Sequence, residues 1–198
     1  MAKITEEQHQ EKAVFVGVIK QGDDERQINE YLDELEFLAE TAGAVGVKKF
    51  IQKVDRPDSR TYIRSGKLQE IREYCEENEI EVVIFDDELS PTQLRNIERE
   101  LNIRILDRTN LILDIFALHA VTSEGKLQVE LAQLQYMLPR LVGLHNNLSR
   151  QGGGSGSLSN KGAGEKKLEL DRRKIEHRLA QLRRELEDVS KDRQTQRK

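Results

Sequence analysis

Two leucine-rich heptad stripes, held apart by residues 148–164, limit what this chain can fold into more than any other feature. Before that segment Leu127, Leu131, Leu134, Leu138, Leu141 and Leu148 recur at spacings of four and three, with His145 in the series. After it Leu168, Ile175, Leu179, Leu182, Leu186 and Val189 do the same around Arg172. Two such stripes hide their leucines by zipping together as an antiparallel coiled coil. The intervening glycines let the chain turn sharply and bring bare backbone close to another molecule. The spacing therefore predicts a long helical hairpin with its tip at about 149–164.

Charge divides the chain in the same place. Residues 1–107 carry 15 basic and 25 acidic side chains, residues 108–149 carry 3 of each, and residues 150–198 carry 14 basic and 8 acidic. Wholesale wrapping by nucleic acid is disfavoured, while a basic projection can enter a polyanion with the acidic body left outside. The plainer reading is that Arg and Lys solvate the outside of a charged coiled coil. One cysteine, Cys75, makes no internal disulfide, residues 1–11 are polar, and no apolar run approaches the roughly 18 residues of a membrane span. A cytoplasmic chain without a membrane span is expected.

Ahead of the stripes, strand and helix patterns alternate. Lys12–Ile19 is a β-branched run, and Ile28, Leu32, Leu35 and Leu38 follow at helical spacing up to a stop at Thr41-Ala42-Gly43. Val45–Val54 reads as an edge or half-exposed strand because Lys48, Lys49 and Lys53 interrupt it. Ser65 is placed to cap a helix over about 66–78, Glu81–Asp86 reads as a buried strand, and Ser90-Pro91 opens another helix. Ile103–Leu106 completes a small, mainly parallel four-stranded sheet with flanking helices, an α/β subdomain over 1–107 with 1–11 flexible. A helical subdomain follows over 108–198. Thr109 is its expected first cap, and the apolar helix after it is expected to be wedged between body and hairpin. Pro139 should kink the first long arm, and the second arm should start near Glu165.

Open α/β sheets bind ligands beyond the carboxyl ends of their strands, where this chain carries Asp55, Asp86, Asp87, Glu88 and Asp107. A divalent cation is one reading; loop and cap chemistry is the better one, since His9, His119, His145 and His177 are scattered. Gly66-Lys67 lacks both the upstream glycine and the following Ser or Thr of a phosphate loop. No catalytic residue, metal ligand or nucleotide-binding motif is assigned.

Asp107–Ala117, Glu124–Leu134, Leu138–Leu141, Ser149–Gly154 and Asp171–Arg173, with Ser65–Ile71 and Val83–Gln93 upstream, resemble the N-terminal region of the HflX GTPases, ribosome-associated translation factors that split ribosomes under stress. The resemblance covers nearly the whole chain. It implies an α/β subdomain followed by a helical hairpin, with a C-terminal GTPase domain beyond it, and no GTPase motif set occurs here in order. GTP and magnesium are thus expected only with that domain, and this chain is not itself the enzyme. Where the family reads GGGxGxRGPGETQLExDRR, this chain has Lys161 for the loop arginine, Ala163 for proline and Lys166-Lys167 for Thr-Gln. The glycine-rich loop is divergent but stays basic.

What the resemblance implies is docking on the large ribosomal subunit and its rRNA through the tip. Arg150, Lys161, Lys166, Lys167, Arg172 and Arg173 would meet phosphates, and Asn146, Asn147 and Gln151 would donate to phosphates or base edges. Gly152, Gly153 and Gly154 would allow close approach. The alternative is a protein-interaction or oligomerisation module whose heptads form an intermolecular coiled coil.

Overall fold

A computed structural model of the chain describes residues 10–150 and 158–196, with side chains described at 10–140, 170–192 and 195. The chain divides into two compact units, Met1–Leu89 with Gln93–Ile112, and Ser90–Thr92 with Leu113–Lys198.

The first unit is built on strands β1 (Lys12–Ile19), β2 (Val45–Lys53), β3 (Val82–Phe85) and β4 (Arg104–Asp107). They form one sheet in the order β2-β1-β3-β4, and every pairing is parallel. β1 lies inside the sheet and is buried from Ala13 to Ile19, which is why it is a continuous apolar run rather than an alternating one. β2 is an edge strand, as its lysines predict, and Phe50 is its one buried residue. Those lysines also tie the edge to helix α1 (Glu25–Thr41): Lys49 pairs with Asp33 at 2.7 Å and Glu36 at 2.5 Å, and Lys53 with Glu25 at 2.6 Å.

One sheet face packs on α1. The Asp24 side chain caps this helix by accepting from the Arg26 N–H, and the chain leaves it through Gly43 at φ +94°. Leu32, Leu35 and Ala39 are buried, and Gly17 lies beneath Leu32, where an added Cβ would come within 3.0 Å of Cδ1. The opposite face carries helices α2 (Ser65–Asn78) and α3 (Pro91–Leu101). There Val14, Val16, Val18, Val83, Phe85 and Ile105 form one core with Leu68, Ile71, Cys75, Ile97 and Leu101. Burial pushes the Cys75 thiol up to about 11, so it serves as a small apolar side chain.

Two expected caps differ. Ser65 is the first residue of α2 rather than its cap, and Arg64 at the cap position makes no side-chain bond to the helix. Asp107, not Thr109, caps helix α4 (Arg108–His119): its Oδ1 accepts from the Asn110 N–H at 3.0 Å. A carboxylate one residue ahead of the first turn reaches that N–H, whereas Thr109 already lies inside the helix.

The second unit holds helices α5 (Ser123–Arg150) and α6 (Leu158–Gln196). α6 begins seven residues earlier than Glu165. The two helices are in contact, and the Arg178 guanidinium grips Glu130 through Nε at 2.6 Å and Nη2 at 2.7 Å. Among the described residues of α6, Leu179 and Leu182 are buried, while Leu127, Leu131, Leu134 and Leu138 of α5 are half-buried. α5 runs through Pro139, and the Arg140 guanidinium donates to the Tyr136 carbonyl at 3.1 Å, one turn back along the helix. In α4, Phe116 and Leu118 stand exposed. Among the described residues no helix is long and apolar enough to cross a membrane.

Candidate functional site

Strand order reverses direction between β1 and β3, the place where a doubly wound sheet opens a crevice at its carboxyl ends. Here polar side chains fill that place. Lys20, the residue after β1, pairs through Nζ with Asp87 Oδ1 at 3.0 Å. The same ammonium lies 5.7 Å from the centre of the Tyr62 ring. Burial works against charge on Lys20, but hydrogen bonds with Tyr62 and Asp87 outweigh it and hold the ammonium charged well above its usual range.

Tyr62 is brought there by a strained loop. Its φ of 63° lies in the left-handed region, unusual for an aromatic residue. The conformation is over-determined by its surroundings: Tyr62 and Asp58 exchange backbone hydrogen bonds at 3.0 and 2.9 Å, and the ring meets Phe85 edge-on at 6.4 Å. Burial pushes the phenol up to about 12, against the pull of Lys20.

This raised value has a measurable consequence. The Tyr62 phenol stays neutral in the folded chain where it would ionise in the unfolded one. Its contribution to stability is therefore complete below pH 10 and is lost as pH rises from 10 toward about 12. Ultraviolet titration of tyrosinate absorbance, compared with Tyr62→Phe, should show one late-titrating tyrosine that disappears in the variant.

Asp86 and Asp107 are engaged as well. Asp86 accepts from Arg108 Nε at 2.8 Å, and Arg108 Nη2 also donates to the Tyr31 carbonyl at 2.9 Å. Burial lifts the Asp86 carboxyl above its ordinary value in spite of that arginine. Asp107 is fully buried, and its Oδ2 accepts from the Leu89 N–H at 3.2 Å. Among the described residues no group of acidic, His or Cys side chains could hold a metal ion. The strand ends hold the fold together, as cap and loop chemistry.

The residues singled out for RNA contact fall elsewhere. Asn146, Asn147 and Arg150 belong to α5, and Lys161, Lys166 and Lys167 to α6, their side chains lying outside what is described. Gln151, Gly152, Gly153 and Gly154 lie outside the described residues. Arg172 pairs with Glu176 one helical turn on, at 2.8 Å, and Arg173 is exposed. Sequence reasoning missed Lys20, Tyr62 and the loop arginines Arg60 and Arg64. Their one visible signal was the density of cations after Asp55.

A family described as GTP-binding GTPase N-terminal matches residues 29–117, and one described as GTP-binding GTPase Middle Region matches residues 119–198. The GTPase HflX of Flavobacterium psychrophilum is 48% identical over 187 residues, 94% of this chain and 45% of that protein. The GTPase HflX of Escherichia coli K12 is 44% identical over 165 residues, 83% of this chain and 38% of that protein. Among solved structures, SsGBP in complex with GDP aligns with a TM-score of 0.68 at 27% identity, over 94% of this chain and 46% of its own. A GTP-binding protein from the archaeon Sulfolobus solfataricus in complex with GDP aligns with a TM-score of 0.61 at 27% identity, over 92% and 46%. The chain thus spans less than half the length of these relatives. With two consecutive family regions matched and full-length relatives nearly half identical, the chain belongs to the HflX GTPase family and corresponds to its N-terminal and middle regions.

Proposed function

We propose that this chain is the ribosome-docking portion of an HflX-type GTPase, gripping rRNA of the large subunit with the tip of a helical hairpin. One observation carries the hairpin: the Glu130–Arg178 pair. Glu130 lies twenty residues before the end of α5 and Arg178 twenty after the start of α6. Contact between positions equally far from the intervening turn is what antiparallel helices produce. At a rise of 1.5 Å per residue, twenty residues carry the glycine-rich segment about 30 Å beyond this ion pair. Arg150, Lys161, Lys166 and Lys167 would ride at that end, with Asn146, Asn147 and Gln151 to donate to bases and Gly152–Gly154 to admit RNA backbone.

An oligomerisation module is the weaker reading. Leu179 and Leu182 are already buried within one chain, so an intermolecular seam would first have to open it. GTP hydrolysis, with its magnesium, falls in this reading to the remaining length of the relatives, and the docking portion acts without a cofactor of its own.

Co-sedimentation with purified large ribosomal subunits across a salt series tests the proposal. With four phosphate contacts, affinity should fall roughly 100-fold between 50 and 200 mM salt. The variant with Arg150, Lys161, Lys166 and Lys167 all changed to Ala should lose most of both the binding and the salt slope. Binding indifferent to salt and to these substitutions would refute the tip as the docking element.

A further inference from the structure

A second cationic feature lies in the α/β unit, where acidic side chains otherwise prevail. Between residues 56 and 72 the chain has five basic side chains and two acidic ones. Both acids are engaged locally. Asp58 accepts from the Arg60 N–H at 2.7 Å, the Thr61 N–H at 3.0 Å and the Thr61 hydroxyl at 3.3 Å. Those donors hold its carboxyl below the usual carboxylate range. Glu70 pairs with Lys67 at 2.6 Å.

Three of these cations, Arg60, Arg64 and Arg72, border a cavity of about 600 Å³ whose wall also holds Asp58, Ser65, Leu68 and Gln69. Arg72 is held by Glu76 at 3.0 Å, but the Arg60 and Arg64 guanidinia form no ion pair among the described residues. Their backbones, by contrast, are fixed. Asn96 Nδ2 donates to the Arg60 carbonyl at 3.0 Å, Gln93 Nε2 to the Asp58 carbonyl at 2.8 Å, and the Arg64 N–H to Gln52 Oε1 at 2.9 Å. The first turn of α2, which opens on the same space, has neither a capping side chain nor an acidic residue. Two fork-shaped donors on an anchored loop, a third beside them and a bare helix start all favour the same ligand charge.

We propose that this cavity binds a phosphate-bearing anion. Its size is that of a small-ligand site. Among the described residues no aromatic ring lines it, and the polar, arginine-bearing wall suits the phosphate itself. Glu100, the wall's other carboxylate, is exposed and disfavours a bulky anion on its side. The phosphate is either that of a free phosphorylated small molecule or one in an RNA backbone. This inference does not depend on the hairpin or on ribosome docking.

Calorimetric titration of the whole chain in phosphate-free buffer at fixed ionic strength tests it, with inorganic phosphate, ribose 5-phosphate and single-stranded oligouridylate as probes and chloride as control. Arg60→Gln and Arg64→Gln are examined singly and together, and Arg99→Gln on α3 is the charge-matched control. Among the described residues the two guanidinia make no side-chain hydrogen bond or ion pair, so far-UV circular dichroism should be unchanged. Saturable binding of either small phosphate, weakened roughly tenfold by each loop substitution and unaffected by Arg99→Gln, supports a small-molecule site. The same pattern with oligouridylate alone supports a backbone phosphate. Absence of saturable binding to all three probes, or binding that Arg60→Gln with Arg64→Gln leaves intact, overturns the proposal.

Discussion

Phe85→Ala should destabilise the α/β unit by about 3–5 kcal/mol, seen as a lower urea midpoint with little change in slope. Phe85 is fully buried at the end of β3, pairs in register with Val16 of β1 and Asp107 of β4, and belongs to the core under α2 and α3. Removing the ring leaves a cavity that a sheet paired on both sides cannot close. It also removes the edge-on partner of Tyr62, whose left-handed backbone depends on being packed in place. Phe85→Ala and Tyr62→Ala should therefore couple by about 0.5–1.5 kcal/mol in a double-mutant cycle. The Phe85→Ala variant should also bring the late-titrating tyrosine back toward its usual range. A loss below 1 kcal/mol, or additive effects of the two substitutions, would show that the loop is held by other contacts.

Asp107→Ala should cost about 2–4 kcal/mol, while Thr109→Ala stays within about 0.5 kcal/mol. The Asp107 carboxylate is fully buried and serves two N–H groups from different parts of the chain, Leu89 ahead of α3 and Asn110 in the first turn of α4. Alanine abandons both. The Leu89 residue is itself buried, so its N–H would gain little from water. Asp107→Asn keeps one acceptor oxygen and should recover part of the loss. Equal costs for Asp107→Ala and Thr109→Ala in matched denaturation curves would mean that the hydroxyl shares the cap.

The contrast between these two residues shows how far the sequence could be read. Both are ordinary helix-capping types and stand two apart, so local preference cannot rank them. Asp107 wins because β4 delivers its side chain under Leu89, a neighbour eighteen residues away that no local pattern announces. Ser65 failed as a cap in the same way: the residue type was right, but the helix takes it in as its own first residue. Likewise the cluster of acids at the strand ends was legible as a set. That Lys20 pairs with Asp87, Arg108 with Asp86, and that Tyr62 covers Lys20 was not, because each partner lies far away in the chain.

The family resemblance was equally legible, since it rests on contiguous residues. The loop arginines illustrate the opposite limit. Arg60, Arg64 and Arg72 look like scattered surface cations until the loop closes over α2 and sets them around one cavity.

The sequence by itself determined the alternation of strands and helices, the burial of β1, the exposure of the lysine-bearing edge and the long helical stretches after residue 122, because each follows from periodicity and charge within a few residues. Only the tertiary structure decided which carboxylate caps α4, where Tyr62 is strained, how Glu130 finds Arg178 and which cations share a cavity. Those depend on contacts between residues far apart in the chain, whose energies exist only once the backbone has brought them together.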